Sequence, residues 1–206
     1  MKKKLRPVLN IAIAAVVFFM WIRMFLQGGG FLAGPGLASM KYFTVLSNQL
    51  EAIACLVWLV SLCKSGRDGA PAGAETFKYV ACVAVMITFC VVAFFLGPIY
   101  GYPMMYEGSN LWFHLLVPLA ALFEILFLAD VRYTKRDNRL AMLPALCYGM
   151  GYLINIALNG KGEWPDTNDW YGFLNWGWAA GFLIFAGIAL VSWLLGLFLR
   201  KAVRKK

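Results

Sequence analysis

Residues 42–63 read YFTVLSNQLEAIACLVWLVSLC, and this stretch determines the class of fold. Glu51 is its one acidic or basic residue, and its length is enough to cross the roughly 30 Å hydrocarbon core of a bilayer as a helix. Backbone groups in lipid must be hydrogen-bonded within the segment, and the run lacks the strict alternation of a barrel strand. A transmembrane helix is therefore predicted here.

The rest of the chain repeats this pattern. The 206 residues are 62% apolar and 14% charged, with a mean hydropathy of +0.70, whereas soluble domains are about 45–50% apolar and about 25% charged. A soluble single-domain protein is thereby excluded. We predict an all-α polytopic membrane protein with one domain, 1–206, made of six transmembrane helices. The predicted spans are 7–26, 42–63, 77–100, 112–131, 140–158 and 174–199.

The basic residues lie at the ends of the apolar blocks, which is typical of topology signals. The net charge of +9 therefore does not indicate a nucleic-acid partner. Only Arg23, Lys41 and Lys161 fall on the opposite side from the rest, so the positive-inside rule predicts that both termini are cytosolic. The residues that set this orientation are Lys2, Lys3, Lys4, Arg6, Lys64, Arg67, Lys78, Arg132, Lys135, Arg136, Arg139, Arg200, Lys201, Arg204, Lys205 and Lys206.

The amino end also has features of a secretory signal peptide. It combines a basic start, an apolar stretch and small residues at Ala33, Gly34 and Ala38. Its apolar run is long for a signal, and Arg23 interrupts it. We therefore favour an uncleaved first span.

Four polar residues share one stripe of the second predicted span. Lys41, Thr44, Asn48 and Glu51 are separated by 3, 4 and 3 positions, which places them on one helical face. Such a face is costly in lipid, so we expect it to point into the bundle or into a water-filled cavity. Hydrogen bonding between helices is the alternative interpretation.

The only histidine, His114, is the candidate general base. It lies near the outer start of the fourth predicted span, at the depth expected for Thr44, and a neutral imidazole suits a base at neutral pH. A structural histidine is the alternative. Glu124 lies ten residues further along, roughly 15 Å deeper, so it is not expected to orient the imidazole.

Three more polar residues near the outer ends of spans are candidate substrate contacts. Arg23 is expected to pair with Glu51 or with a bound anion, and a snorkelling side chain without a role is the alternative. Asn155 and Asn175 are expected to line the same cavity. The five cysteines show no metal or disulfide spacing, and no nucleotide motif is present, so no metal and no cofactor are predicted.

These residues together indicate acyl chemistry on a lipid ester. A threonine hydroxyl needs an adjacent base to become a nucleophile, and the resulting oxyanion needs hydrogen-bond donors. Thr44 and His114 are the predicted pair, Asn48 is a candidate oxyanion donor, and Arg23 or Lys41 is expected to hold a substrate carboxylate.

Three short runs resemble the androgen-induced protein and androgen-dependent TFPI-regulating protein family. They are the run from Lys41 to Gln49, the run His114-Leu115-Leu116-Val117-Pro118-Leu119, and the loop that contains Trp164-Pro165-Asp166 and Tyr171-Gly172-Phe173-Leu174. The resemblance implies a six-span hydrolase with a threonine nucleophile and a histidine partner. In the animal members the substrates are fatty acid esters of hydroxy fatty acids.

Carried over to this chain, the family's threonine is Thr44 and its histidine is His114. The compact chain with basic ends resembles the bacterial branch, which implies a bacterial plasma membrane, an active site near the outer leaflet, and a lipid ester and membrane lipid as partners. Two other functions stay open. One is a small transporter or lipid-binding protein that uses the same polar stripe, with Arg23 and Glu51 as a switchable pair; the other is a passive subunit of a larger complex.

Overall fold

The computed structural model describes residues 2–27, 35–65, 69–163 and 166–204. Within these ranges it contains six helices that are long and apolar enough to cross a membrane. The predicted all-α class is confirmed for the described residues, and their six long apolar helices match the number of predicted spans. The helices are Lys2–Gln27, Phe43–Ser65, Ala72–Tyr100, Ser109–Leu128, Lys135–Asn159 and Gly177–Arg204, called here the first to sixth spans.

Some residues used in the sequence analysis lie outside the described ranges. They are Ala33 and Gly34 of the signal-peptide alternative, Arg67, Lys205 and Lys206 of the orientation argument, and Trp164 and Pro165 of the aromatic loop.

The second span begins one residue later than predicted. Its first helical residue is Phe43, and Lys41 ends the preceding 3-10 helix Gly36–Lys41. The expectation that Lys41 continues the polar stripe of the helix is therefore wrong, while Thr44, Asn48 and Glu51 do lie on it. Asn48 and Glu51 are completely buried, so the stripe faces the bundle interior as predicted.

The fourth span is locally wound as a π-helix around His114. Residues Trp112–Leu116 adopt this form, and the Val117 N–H bonds to the carbonyl of Trp112 five residues earlier. Pro118 follows immediately, and a proline lacks the N–H that would otherwise bond to the His114 carbonyl. Such π-bulges are frequent at functional sites.

Two apolar clusters show how the spans pack. One cluster joins Tyr79, Tyr133, Leu199 and Val203, and it lies at the face of the bundle where the sixth span ends, called here the terminal face. The other reaches the opposite face, called here the distal face, where it joins residues from the distal ends of the first four spans, their loops and the loop before the sixth span. These are Met24, Tyr42, Leu96, Met105, Phe113, Tyr171 and Phe173.

Burial differs strongly between the spans. The third span is the most enclosed, and the sixth is the least. The sixth span therefore lies at the periphery, where it exposes large apolar side chains to the surroundings, as a helix in contact with lipid does.

Candidate active site

The two predicted catalytic side chains meet at the distal face. Thr44 Oγ1 lies 3.4 Å from His114 Nε2, although 70 positions separate the residues in the chain. Thr44 occupies the first turn of the second span, and His114 lies on the π-helical segment of the fourth. A distance at the long end of hydrogen bonding is normal for a nucleophile and base without substrate.

A backbone carbonyl orients the histidine. His114 Nδ1 lies 2.6 Å from the carbonyl oxygen of Met105, which only accepts hydrogen bonds. Nδ1 must therefore carry the proton, and Nε2 presents its lone pair to Thr44. His114 is buried, with 6% exposure. Met105 ends the short helix Tyr102–Met105 that connects the third and fourth spans.

The loop before the sixth span places a tyrosine beside the nucleophile. The Phe43 N–H donates to the Tyr171 hydroxyl at 2.9 Å, and that hydroxyl also contacts Thr44. Burial raises the pKa of Tyr171 to about 12, so the phenol keeps its proton at neutral pH. The Tyr171 oxygen accepts the Phe43 N–H, and the phenol retains one O–H group beside Thr44.

The position of Tyr171 is fixed by its neighbours in the loop and the fifth span. The Tyr152 hydroxyl donates to Asp169 Oδ1 at 2.5 Å, and the Leu174 N–H donates to Asp169 Oδ2 at 3.0 Å. The Tyr171 N–H in turn donates to the Tyr152 hydroxyl. Asp169 is buried, so these bonds form a rigid support for the loop.

Asn48 supports the site but does not face a substrate. Its amide donates to the carbonyl of Thr44 at 2.7 Å and to that of Phe113 at 3.1 Å. An amide nitrogen has two hydrogens, and both are used. The structure therefore corrects the expectation that Asn48 donates to an oxyanion: Asn48 instead joins the second and fourth spans just beside Thr44 and His114.

Thr44 borders two cavities. The first extends among apolar side chains of the third, fifth and sixth spans. The second is narrow and is bordered by both Thr44 and His114. Tyr171 lines both cavities as well, so the Thr44 and Tyr171 side chains lie where the two cavities adjoin.

Glu51 belongs to a buried ionic cluster on the terminal side of the site. Its carboxylate bonds to Lys78 of the third span, and Lys78 Nζ is also 2.9 Å from Glu124 Oε2. Arg6 continues the cluster with a bond to Glu124 and two parallel bonds of 2.7 Å to Glu75. The predicted Arg23–Glu51 pair is therefore wrong.

The cluster holds an ammonium where a metal ion would otherwise fit. Oxygen and sulfur atoms of Glu51, Cys55 and Glu124 lie within 4.8 Å of one another. Lys78 Nζ bonds to all three residues and lies 3.0 Å from Cys55 Sγ. Lys78 and Arg6, counted in the sequence as topology signals, are thus buried structural cations.

The remaining predicted cations differ in their surroundings. Arg23 is exposed on the first span. Lys41 is half-buried, with Nζ 5.4 Å from the ring centres of Tyr42 and Trp170. Tyr42 also lines the cavity beside His114. Of the two cations predicted to hold a substrate carboxylate, Lys41 is therefore closer to the site than Arg23.

Asn155 and Asn175 do not line the cavities beside Thr44. Asn155 donates to Asn168 at 3.2 Å, and Asn175 accepts from Lys161 at 2.9 Å. Asn175 instead borders a wide polar depression together with Lys161 and Asp169. The expectation that both asparagines share the cavity of Thr44 is therefore wrong.

Sequence reasoning missed two contributors to the site. Met105 acts through its backbone carbonyl, which leaves no trace in residue identity. Tyr171 stood in the aromatic loop used for the resemblance, but a tyrosine at a membrane boundary is usually an interfacial anchor. A comparison with known protein families, curated proteins and solved structures finds no match for the chain.

Proposed function

We propose that this protein is an intramembrane hydrolase of lipid esters, with Thr44 as nucleophile and His114 as general base. One observation carries the proposal: Thr44 Oγ1 lies 3.4 Å from a His114 nitrogen whose opposite ring nitrogen is bonded to the Met105 carbonyl. This arrangement supplies the unprotonated nitrogen that an alcohol nucleophile requires.

In the first half-reaction, the Thr44 oxygen forms a bond to the ester carbonyl carbon while His114 Nε2 takes the hydroxyl proton. The carbonyl oxygen becomes an oxyanion in the tetrahedral intermediate. The bond from carbon to the alcohol oxygen then breaks, and His114 returns the proton to that oxygen. The products are a free alcohol and an acyl ester of Thr44.

In the second half-reaction, a water molecule attacks the carbonyl carbon of the acyl ester on Thr44. His114 takes a proton from water as its oxygen bonds to the carbonyl carbon, and the bond to the Thr44 oxygen breaks. His114 then protonates the Thr44 oxygen. The net reaction converts one ester and one water into a carboxylic acid and an alcohol.

Tyr171 takes the oxyanion role that the sequence analysis gave to Asn48. Its protonated hydroxyl adjoins Thr44 and both cavities, whereas the Asn48 amide is bonded to two carbonyls. A donor fixed before the reaction stabilises the developing charge without reorganisation.

The two cavities meeting at Thr44 suit an ester with an apolar chain on the acyl side and a second arm beside His114. This fits the fatty acid esters of hydroxy fatty acids that the resemblance implies, and Lys41 is the candidate partner for a substrate carboxylate. We further propose a bacterial plasma membrane as the location. Both termini would be cytosolic, and the distal face would lie at the outer leaflet.

The decisive experiment is covalent labelling of the detergent-purified protein with a fluorophosphonate ester, read by intact and peptide mass spectrometry. We expect one adduct on Thr44, lost in Thr44→Ala and in His114→Ala. Thr88→Ala is the matched control, since Thr88 lines the same cavity but its hydroxyl bonds to Ser47 at 2.9 Å.

Turnover of a long-chain ester gives the second readout. Thr44→Ser should retain part of the wild-type rate, because the hydroxyl remains, whereas Thr44→Ala should abolish it. Equal turnover in wild type and Thr44→Ala would reject the nucleophile. A folded wild type that neither labels nor turns over ester would favour the transporter or lipid-binding function.

A further inference from the structure

An outward-facing groove runs between the third and sixth spans. Its walls are Ile87 to Phe95 on one side and Ile184 to Val191 on the other, with Phe173 at the distal end and a volume of about 660 Å³. The Cys90 thiol is the only side chain with a heteroatom among its lining residues. Seven positions of the sixth span correspond to about 10 Å along the helix axis, so the groove runs along the spans.

The groove adjoins the cavity of the nucleophile. Four residues line both spaces, namely Ile87, Val91, Phe173 and Ile188. The same cavity reaches Thr44 and Tyr171 at its inner end. Only these apolar side chains therefore separate the groove outside the sixth span from the cavity that reaches Thr44.

We propose that this groove is the lateral entrance through which the acyl chain of a lipid ester passes from the bilayer to Thr44. The inference rests on the proposed function and deepens it by naming the route and the arm of the substrate that takes it. Three features of the groove match an acyl chain: apolar walls, an axis along the spans, and an opening on the least enclosed span.

A lipid chain gains little from the hydrophobic effect on this path, since it leaves a medium as apolar as the groove. The groove instead contributes by orientation. It holds the chain so that the ester carbonyl reaches the hydroxyl of Thr44, and misplacement by about 1 Å can cost about a hundredfold in rate.

Gly187 offers a position at which a side chain can be added to fill the groove. It lies on the groove wall, it is exposed, and a Cβ added there meets no atom within 4 Å. Gly151 of the fifth span is the matched control. It is likewise helical and exposed with open space at the Cβ position, and it borders none of the cavities described here.

The first test measures hydrolysis of two esters by Gly187→Trp and Gly151→Trp in nanodiscs. For a long-chain ester, Gly187→Trp should lower kcat/KM by about ten- to a hundredfold, while a water-soluble acetyl ester should be cleaved within about twofold of wild type. Gly151→Trp should leave both rates unchanged. Wild-type rates on the long-chain ester in Gly187→Trp, or equal losses on both esters, would overturn the proposal.

The second test does not depend on turnover. A fatty acid with a diazirine near its methyl end is photolysed with the Thr44→Ala variant in nanodiscs, and the labelled peptides are identified by mass spectrometry. We expect labels within 87–95 and 184–191 that Gly187→Trp removes and Gly151→Trp preserves.

The outcomes of the two tests distinguish the proposed lateral entrance from the proposed hydrolase activity. Labelling in the groove without any ester hydrolysis would keep the route and reject the hydrolase, whereas hydrolysis with labels elsewhere would reject the route alone. A cross-link between two copies through the groove would assign it to a chain–chain interface and overturn the proposal. If Gly187→Trp does not fold, Gly187→Leu gives the same comparison with a smaller side chain.

Discussion

Replacing Lys78 by methionine should destabilise the bundle by about 3–5 kcal/mol, the cost of removing one partner from a buried ion pair. Lys78 is fully buried and bonds to Glu51, Glu124 and Cys55. Without it, Arg6 is the one cation left among three buried carboxylates, those of Glu51, Glu75 and Glu124. Methionine keeps the length and apolar stem of lysine, so packing loss is a minor part of the effect.

A double variant isolates the electrostatic part of this loss of stability. Lys78→Met with Glu51→Gln leaves one cation with two carboxylates, which restores the wild-type excess of one negative charge. Because the uncompensated charge is gone, we expect the double variant to be more stable than Lys78→Met alone, although it has lost one more native residue. Non-additivity of this kind, about 0.5–3 kcal/mol, is typical of groups in one network.

The assay is unfolding in mixed micelles by increasing detergent denaturant, followed by far-ultraviolet circular dichroism and tryptophan fluorescence. Trp58 donates to Glu75 at 2.8 Å and packs under Arg6, so its emission reports on the cluster. A loss below about 1 kcal/mol in Lys78→Met, or a double variant no more stable than the single one, would refute the account of Lys78 as the cation that compensates the buried carboxylates.

Three further predictions concern the site and its loop. Tyr171→Phe should lower kcat for a lipid ester by about a hundred- to a thousandfold while the ring packing persists, and an unchanged kcat would remove Tyr171 from the oxyanion site. Arg23→Gln should change kcat/KM equally for esters with a free carboxylate and for their methyl esters, because Arg23 is exposed; a selective loss on the free carboxylate would restore it as an anion clamp. Asp169→Asn should lower stability by about 1–3 kcal/mol, because a charged acceptor for Tyr152 and Leu174 is replaced by a neutral one, and thermal unfolding in detergent measures the change. Asp166→Asn, in the same loop, is its control.

The spans could be predicted from the sequence because the bilayer imposes their length and apolar character on every crossing segment. The inward direction of Asn48 and Glu51 followed from the same constraint, since a helix cannot expose such residues to lipid without cost. The pairing of Thr44 with His114 was predictable because both stand near the distal ends of their spans, at the same depth.

Only the tertiary structure decided which groups contact the site residues and the buried cations. Lys78 stands near the start of an apolar block. A lysine at such a position has the same sequence context whether its side chain extends to the membrane interface or is buried against Glu51 and Glu124, so counting basic residues could not distinguish these two placements. The carbonyl that orients His114 belongs to the backbone of Met105, and every residue offers such a group. Tyr171 lies 127 positions after Thr44 in the chain. It reaches Thr44 because the loop before the sixth span, held by the hydrogen bonds of Asp169, folds back over the second span. The depth of a residue in the membrane depends on its own segment alone, so it can be predicted from the sequence. Which of the many residues at one depth contact each other depends on how the helices pack.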